Sequence, residues 1–220
     1  MSSKVVALVP IKLGSKRVPK KNIRPFYDGT PLMHFIQRAC IDSQLIDDIY
    51  VYCSDESIKD YILPEVHFLK RPEYLDGDNI NANDIIREFM KSVPADIYVN
   101  VHATSPFAKS TTIDSCIRHV SSGEYDSAFC AECVRAFMWE NNKPINFDPS
   151  HFPRTQDLPD IYAETSIAYV FTQETFNKYN RRVGTNPFIQ VVDKIEAIDI
   201  DYPEDFIIAD AIYKEVINRS

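Results

Sequence analysis

No apolar run in these 220 residues approaches the roughly 20 needed to cross a bilayer, so a transmembrane helix is not expected. The start lacks the marks of a secretory leader as well. Met1-Ser2-Ser3-Lys4 leads straight into Val5–Val9, a run too short for a leader core and without a small-residue cleavage site. A cytoplasmic protein is the expectation. Disulfides are equally absent from the pattern. The five cysteines, Cys40, Cys53, Cys116, Cys130 and Cys133, are odd in number and mostly sit within apolar stretches. Cys130 and Cys133 form a C-x-x-C, but no second pair and no histidine at ligand spacing accompanies it. No helix start follows it either, so zinc and thioredoxin-like chemistry are excluded and buried thiols are expected. There is no excess of basic charge: 32 acidic against 24 basic residues give a net charge of −8. That balance opposes nonspecific binding to nucleic acid or to an anionic membrane. Neither phosphate-loop pattern, G-x-x-x-x-G-K-[ST] or G-x-G-x-x-G, occurs. No internal repeat or low-complexity tract is present.

What is present is an ordinary globular composition, 45% hydrophobic and 25% charged, enough for a single domain over 1–220. Short apolar runs alternate with helical spacing. Val5–Val9, Asp48–Cys53, Val66–Leu69, Asp96–Val101, Ser127–Cys133, Ile167–Phe171 and Lys194–Ile200 read as strands. Pro31–Ile41, Ser57–Ile62, Ala82–Lys91, Thr111–Val120 and a closing segment from Asp205 read as helices. Such alternation predicts an α/β fold of right-handed βαβ units with a mainly parallel sheet, and ligands bound beyond the carboxyl ends of its strands. Between about 137 and 160 the pattern breaks under Pro144, Pro149, Pro153 and Pro159. This stretch is read as a protruding arm, carrying Phe137, Trp139, Phe147 and Phe152 as an interface or a small core of its own.

The basic residues are unevenly placed. Lys12, Lys16, Arg17, Lys20, Lys21 and Arg24 share one acid-free stretch directly after the first strand. Gly14 and Ser15 can offer backbone N–H groups, and Lys12, Lys16, Arg17 and Lys21 offer fixed cations, as a bound triphosphate requires. In a net-acidic chain, this loop is where an anion would go.

The same loop, Pro10-Ile-Lys-Leu-Gly-Ser-Lys-Arg-Val-Pro-Lys-Lys-Asn22, resembles the P-A-R-x-G-S-K-x-x-P-x-K-N signature of the acylneuraminate (CMP-sialic acid synthetase-like) cytidylyltransferases, with Lys12 at the signature's arginine. Gly29-Thr-Pro31-Leu32, Ser54-Asp55-Glu56, Arg71-Pro72, Thr104-Ser105-Pro106 and Asp199-Ile-Asp201-Tyr-Pro203-Glu204-Asp205 match further family motifs in order. The resemblance implies a Rossmann-like nucleotidyltransferase fold and transfer of CMP from CTP to a small acidic acceptor, a nonulosonic or sialic acid-like sugar, with release of pyrophosphate. It implies nucleotide contacts from Lys12, Gly14, Ser15, Lys16, Lys21, Asn22 and Arg71, with Lys12, Lys21 and Asp201 catalytic. It also implies a homodimer, with Arg154 of the arm gripping the acceptor's anion.

Asp199 and Asp201 stand two apart at an expected strand end, where they can share a face and reach one hard cation, or be exposed loop acids. Mg²⁺ takes one or two protein carboxylates and completes its octahedron with phosphate and water. Its role would be to bridge to the α-phosphate and neutralise charge as pyrophosphate leaves. The acceptor side departs from the family pattern: His102 replaces a glutamine, Ala103 a proline, Ala108 an arginine, and Thr165 stands where an asparagine is common. His102, Thr104 and Ser105 are the expected acceptor-facing residues, with a different choice of hydrogen-bond partners and hence of acceptor. His102 serves as a hydrogen-bonded core residue, as an orienting group or as a proton acceptor near neutral pH. A phosphorylated acceptor giving a CDP-linked product, a D-x-D glycosyltransferase and an inactive nucleotide-binding module are the competing readings.

Overall fold

The computed structural model describes residues 3–15 and 17–218. Its frame is a seven-stranded sheet built from β1 (Val5–Pro10), β2 (Asp48–Cys53), β3 (His67–Lys70), β4 (Ile97–Val101), β5 (Ser127–Val134), β8 (Ile161–Thr172) and β9 (Pro187–Val192), in the order β3-β2-β1-β4-β8-β5-β9. Two further strands, β6 (Trp139–Glu140) and β7 (Lys143–Pro144), form a separate hairpin.

Both faces of the sheet are covered, which is why β1 reads as an unbroken apolar run. Val5, Ala7 and Val9 pack on one side with Met33 and Ile36 of α1 (Leu32–Ile41) and Ile113, Cys116 and Ile117 of α3 (Ser110–Ser121). Val6 and Leu8 pack on the other with Ile86 and Phe89 of α2 (Ala82–Ser92) and Phe176 of α4 (Gln173–Tyr179). A closing helix, α5 (Pro203–Ile212), seats Phe206 against Phe26, Leu32 and Phe107. The pairs β1–β2, β2–β3, β1–β4 and β5–β9 are parallel, as the alternation predicts. The exception is β8, antiparallel to both β4 and β5. Hydropathy identified this strand but carries no information on its direction.

The strand expected at Lys194–Ile200 is not one. The carboxylate of Asp193 accepts the N–H groups of Ile195 (3.0 Å) and Glu196 (2.9 Å), winding the backbone into a turn. The last strand is instead β9, just upstream. Beyond Phe129, β5 and β8 stay paired after a bulge, with β9 alongside as far as Glu132, and at the bulge Thr165 donates its hydroxyl to the Cys130 carbonyl at 3.1 Å. The β5–β8 pair carries the 137–160 arm, whose hairpin turns on Asn141 and Asn142, both in the left-handed region (φ 48° and 62°). Phe137, Trp139, Phe147 and Phe152 cluster with one another there. Cys40, Cys53, Cys116 and Cys130 are buried free thiols, whereas Cys133 is half-exposed and donates to Asp160.

Candidate active site

Strand order reverses between β1 and β4, the point where an α/β sheet opens a crevice at its carboxyl edge. The loops leaving these two strands line that crevice. After β1, Lys12 reaches across to the backbone carbonyl of Asp76. Asn22 is buried and donates to the Lys12 carbonyl at 3.2 Å, so its side chain shapes the loop. Ser15 folds its hydroxyl toward the Val18 N–H (3.4 Å). A Cβ on Gly14 would meet nothing nearer than Lys12 Cε at 4.0 Å, so this glycine leaves open space over the loop rather than relieving a clash. Lys16 lies outside the described residues. Lys21, only 8% exposed, turns inward and donates to the Ile200 carbonyl at 2.6 Å.

At the end of β3, Arg71 is the largest buried side chain, 2% exposed. Its Nη2 donates to Asp76 Oδ1 at 2.5 Å, and Ser54 donates to the other oxygen of the same carboxylate. Asp76 thus ties Lys12, Ser54 and Arg71 together. Sequence reasoning missed it, because one acid among many carries no mark of its partners. Arg71 Nε remains buried without a partner among the described residues. Beside it lies a pocket of about 270 Å³, lined by Lys12, Arg71, Leu75, Asn81, Asn100 and His102. It has the size and the mixed apolar and polar lining for a heterocyclic base.

The two aspartates follow the irregular segment after Asp193. Asp201 accepts from Arg17 at 2.8 Å and faces Lys21 Nζ at 3.4 Å. Its backbone N–H and that of Tyr202 are held by the Asp205 carboxylate at the start of α5 (2.9 and 2.7 Å), so Asp205 is a helix-start residue. Asp199 accepts from the Ser166 hydroxyl at 3.2 Å and from Thr104, while its Oδ1 is buried with no partner. Burial pushes its pKa up and the neighbouring Asp201 charge adds to this, with Thr104, Ser166 and Lys21 acting the other way. The pair is held by loop hydrogen bonds, including Ile200 N–H to the Thr104 carbonyl at 2.9 Å, and not by strand pairing. Among the described residues no group of three or more His, Cys, Asp or Glu gathers for a metal, so two carboxylates are the whole anionic set here.

On the acceptor side, His102 touches Arg182 and lies within reach of the Lys21 charge. Burial, then Arg182, then Lys21 push its pKa down to about 4, so it is neutral at pH 7 and too weak a base to act as the proton acceptor near neutrality. Arg182 Nη1 lies 3.3 Å from His102 Nε2 and donates to Asn100 Oδ1 at 3.0 Å. Because arginine only donates, Nε2 accepts and the ring proton sits on Nδ1. Ser105 is buried with an unpartnered Oγ. Arg154 is 74% exposed on the arm and chelates Asp157 through Nε (2.7 Å) and Nη2 (3.1 Å). The chain does not bring it to this crevice. Arg182, Asn100, Tyr169 and Ser166 were not anticipated as site residues; Asn100 points in from β4, Ser166 and Tyr169 come from β8, whose antiparallel direction leaves no local signal, and Arg182 comes from the loop after α4. A further cavity of about 880 Å³, lined by Phe35, Phe107, Lys109 and Tyr213 among others, touches none of these groups.

Known proteins resemble this chain over nearly its whole length. It is 27% identical over 217 residues to N-acylneuraminate cytidylyltransferase A of Danio rerio, covering 92% of this chain and 50% of that protein. The chain therefore spans about half the length of the first relatives it matches. It is 25% identical to pseudaminic acid cytidylyltransferase of Campylobacter jejuni, covering 96% of this chain and 97% of that one. In fold it matches the CTP complex of CMP:2-keto-3-deoxy-manno-octonic acid synthetase, with a TM-score of 0.73, 15% identity and coverage of 97% and 99%. A 4-diphosphocytidyl-2C-methyl-D-erythritol synthase from Anaerococcus prevotii follows, with a TM-score of 0.69, 12% identity and 97% coverage of both chains. The cytidylyltransferase family pattern itself runs over residues 6–215. With a basic loop, a base-sized pocket and an aspartate pair gathered at one sheet edge, and that pattern spanning the sheet from β1 to the helical C-terminus, the chain belongs to the cytidylyltransferase family.

Proposed function

We propose that this protein transfers CMP from CTP to a nonulosonic acid. The acceptor's hydroxyl oxygen attacks the α-phosphorus, the bond from that phosphorus to the α,β-bridging oxygen breaks, pyrophosphate leaves and the hydroxyl proton passes to solvent. The observation that carries this reading is the meeting of Lys21 with Asp201 and Asp199 beside the base-sized pocket. Lys12 and the Gly14–Ser15 backbone would receive the triphosphate, with Lys16 and Lys21 as further cations. Arg71 would face the nucleoside, and His102, Thr104 and Ser105 would border the acceptor.

Two carboxylates, one with a buried oxygen lacking any partner, fit a hard cation that completes its shell with phosphate oxygens. Asp199 and Asp201 would hold Mg²⁺, which when bound supplies charge neutralisation at the reacting phosphate. Lys21 is anchored on the Ile200 carbonyl with its ammonium toward the same place, so its positive charge is positioned before substrate arrives. His102, neutral and hydrogen-bonded, orients rather than abstracts. Most of the catalysis is then positioning and electrostatics. Arm-mediated homodimerisation and a cytoplasmic location complete the proposal; among the described residues no helix is long and apolar enough to cross a membrane.

The test is pyrophosphate release by the purified protein with Mg²⁺, each of the four nucleoside triphosphates, and a panel of nonulosonic acids, 2-keto-3-deoxy-manno-octonic acid and phosphorylated polyols. Release with CTP and a nonulosonic acid alone is expected. Release only with a phosphorylated polyol would replace the acceptor class, and failure to bind CTP at all would sink the reading.

A further inference from the structure

Arg182 is a cation with no ion-paired carboxylate among the described residues. The loop after α4 brings it back over the carboxyl edge of β4, where its Cζ lies 3.4 Å from the centre of the Tyr169 ring. Its Nη1 is spent on Asn100 Oδ1 and His102 Nε2, both neutral acceptors. Among the described residues no carboxylate comes within ion-pair distance of it. By contrast Arg17, Arg71, Arg87, Arg135 and Arg154 each hold an acid. Glu164, whose charge does reach Arg182, is bonded to the Tyr169 hydroxyl at 2.8 Å.

A half-buried guanidinium resting on an aromatic face and two neutral acceptors gains less than it loses in water, unless an anion completes it. Its planar fork suits a carboxylate or a phosphate, and beyond Nη1 it meets only the neutral Tyr169 side chain. A second polar group waits beside it: Asn100, whose Oδ1 Arg182 holds, has its Nδ2 buried with no partner.

We infer that Arg182 receives the acidic group of the acceptor, which in the reading above is its carboxylate; the inference rests on that reading. His102 touches Arg182 directly and lies within reach of the Lys21 charge. An acceptor whose acid rests on Arg182 would therefore lie against His102. This removes the need for Arg154 as the grip within one chain, since its guanidinium is already neutralised by Asp157. Arg182 is then a specificity-determining residue that distinguishes acids from neutral sugars.

The experiment compares wild type, Arg182→Gln and Arg182→Lys. Binding of N-acetylneuraminic acid, pseudaminic acid and their uncharged methyl esters to the CDP-loaded protein is measured by calorimetry, with 2C-methyl-D-erythritol and its 4-phosphate as the phosphate arm. Wild type is expected to bind at least one acid about tenfold or more above its ester. Arg182→Gln should abolish that preference while CDP affinity stays within about twofold, and Arg182→Lys should restore part of it. Equal losses for acid and ester in Arg182→Gln would overturn the inference, as would binding of no acid by wild type. A preference for the 4-phosphate over every acid would overturn the carboxylate assignment. The proposed reaction is judged separately: an acid that binds through Arg182 but gives no pyrophosphate with CTP and Mg²⁺ contradicts the reaction and upholds the site.

Discussion

Lys21 and Asp201, 180 residues apart in the chain, meet at the sheet edge with Nζ 3.4 Å from Oδ1. The ammonium is also fastened to the Ile200 carbonyl, so the carboxylate is not what holds it in place. Removing either charge should therefore separate activity from stability. Lys21→Met and Asp201→Asn are expected to lower pyrophosphate release by about 10²-fold or more. Because the Asp201 side chain is 40% exposed, Asp201→Asn should change unfolding free energy by less than about 1 kcal/mol. Single-turnover rates and urea denaturation of the same preparations check both parts. Unchanged turnover in Asp201→Asn would remove it from the metal assignment.

Asp199 makes the opposite trade. Its folded pKa is raised above the unfolded value of 3.8, mainly by burial, so its charged form destabilises the fold at every pH above the raised pKa. That penalty vanishes below 3.8. Asn at this position keeps the contacts from Ser166 and Thr104 without the charge. Asp199→Asn should then raise the Tm of the metal-free protein by a few degrees, on the scale of about 2–4 °C per kcal/mol for a chain of this size. It should also abolish the Mg²⁺- and CTP-dependent thermal shift and turnover. A lower Tm without metal would contradict the account.

How much of this was readable in advance follows from which contacts are local. The β1 loop with its cations and the Asp199–Asp201 spacing are short stretches, and their roles follow from residue type and from a strand end. The two-faced burial of β1 and the helices α1, α2 and α3 follow from periodicity. By contrast the direction of β8, the position of β9 and the turn at Asp193 depend on pairings that hydropathy does not encode. Arg182 illustrates the limit. In sequence it is one of two adjacent arginines after a helix, indistinguishable from Arg181; only the fold lays it on Tyr169 and against His102. Arg154 is a different case: the motif match marks it, and within the single chain it is exposed and paired with Asp157.

Asp76 should be a structural keystone that no motif marks. Its carboxylate holds both Ser54 and the almost fully buried Arg71. Deleting it leaves a guanidinium buried without a counter-charge, which typically costs about 3–5 kcal/mol. Asp76→Ala is expected to lose stability in that range and to weaken CTP binding, because Arg71 lines the base-sized pocket. The double variant with Arg71→Met should recover much of the stability and none of the binding. Chemical denaturation and CTP titration of the three proteins test this, and additive losses would refute the coupling.

The low basicity of His102 has a consequence for acid stability. Its pKa is about 4 in the fold against 6.5 as the ordinary value, so on acidification the unfolded chain takes up the proton first. The stability tied to this group is complete above pH 6.5 and falls as pH drops toward 4. Between pH 7 and pH 5 the loss amounts to about 2 kcal/mol, at about 1.4 kcal/mol per pH unit. His102→Gln should flatten the pH dependence by that amount. Denaturation midpoints at pH 5 and pH 7 give the comparison, and equal slopes for the two proteins would show that His102 titrates normally.

Trp139 is the only tryptophan in the chain, and it stands on the arm, 56% exposed, edge-on to Phe147 at 5.3 Å. Phe152 and Ile145 are exposed beside it. Intrinsic tryptophan emission therefore reports on the arm alone, with no background from the sheet. If a second copy covers this aromatic cluster, as the proposed homodimer requires, dilution should shift the emission to longer wavelength. The midpoint of that shift should coincide with the fall from dimer to monomer mass in sedimentation. Phe152→Ser should move both midpoints to higher protein concentration together, while leaving the unfolding of the sheet unchanged, because Phe152 contacts only arm residues among its aromatic partners. A dimer that forms with no change in Trp139 emission would place the interface elsewhere, on a surface the arm does not reach.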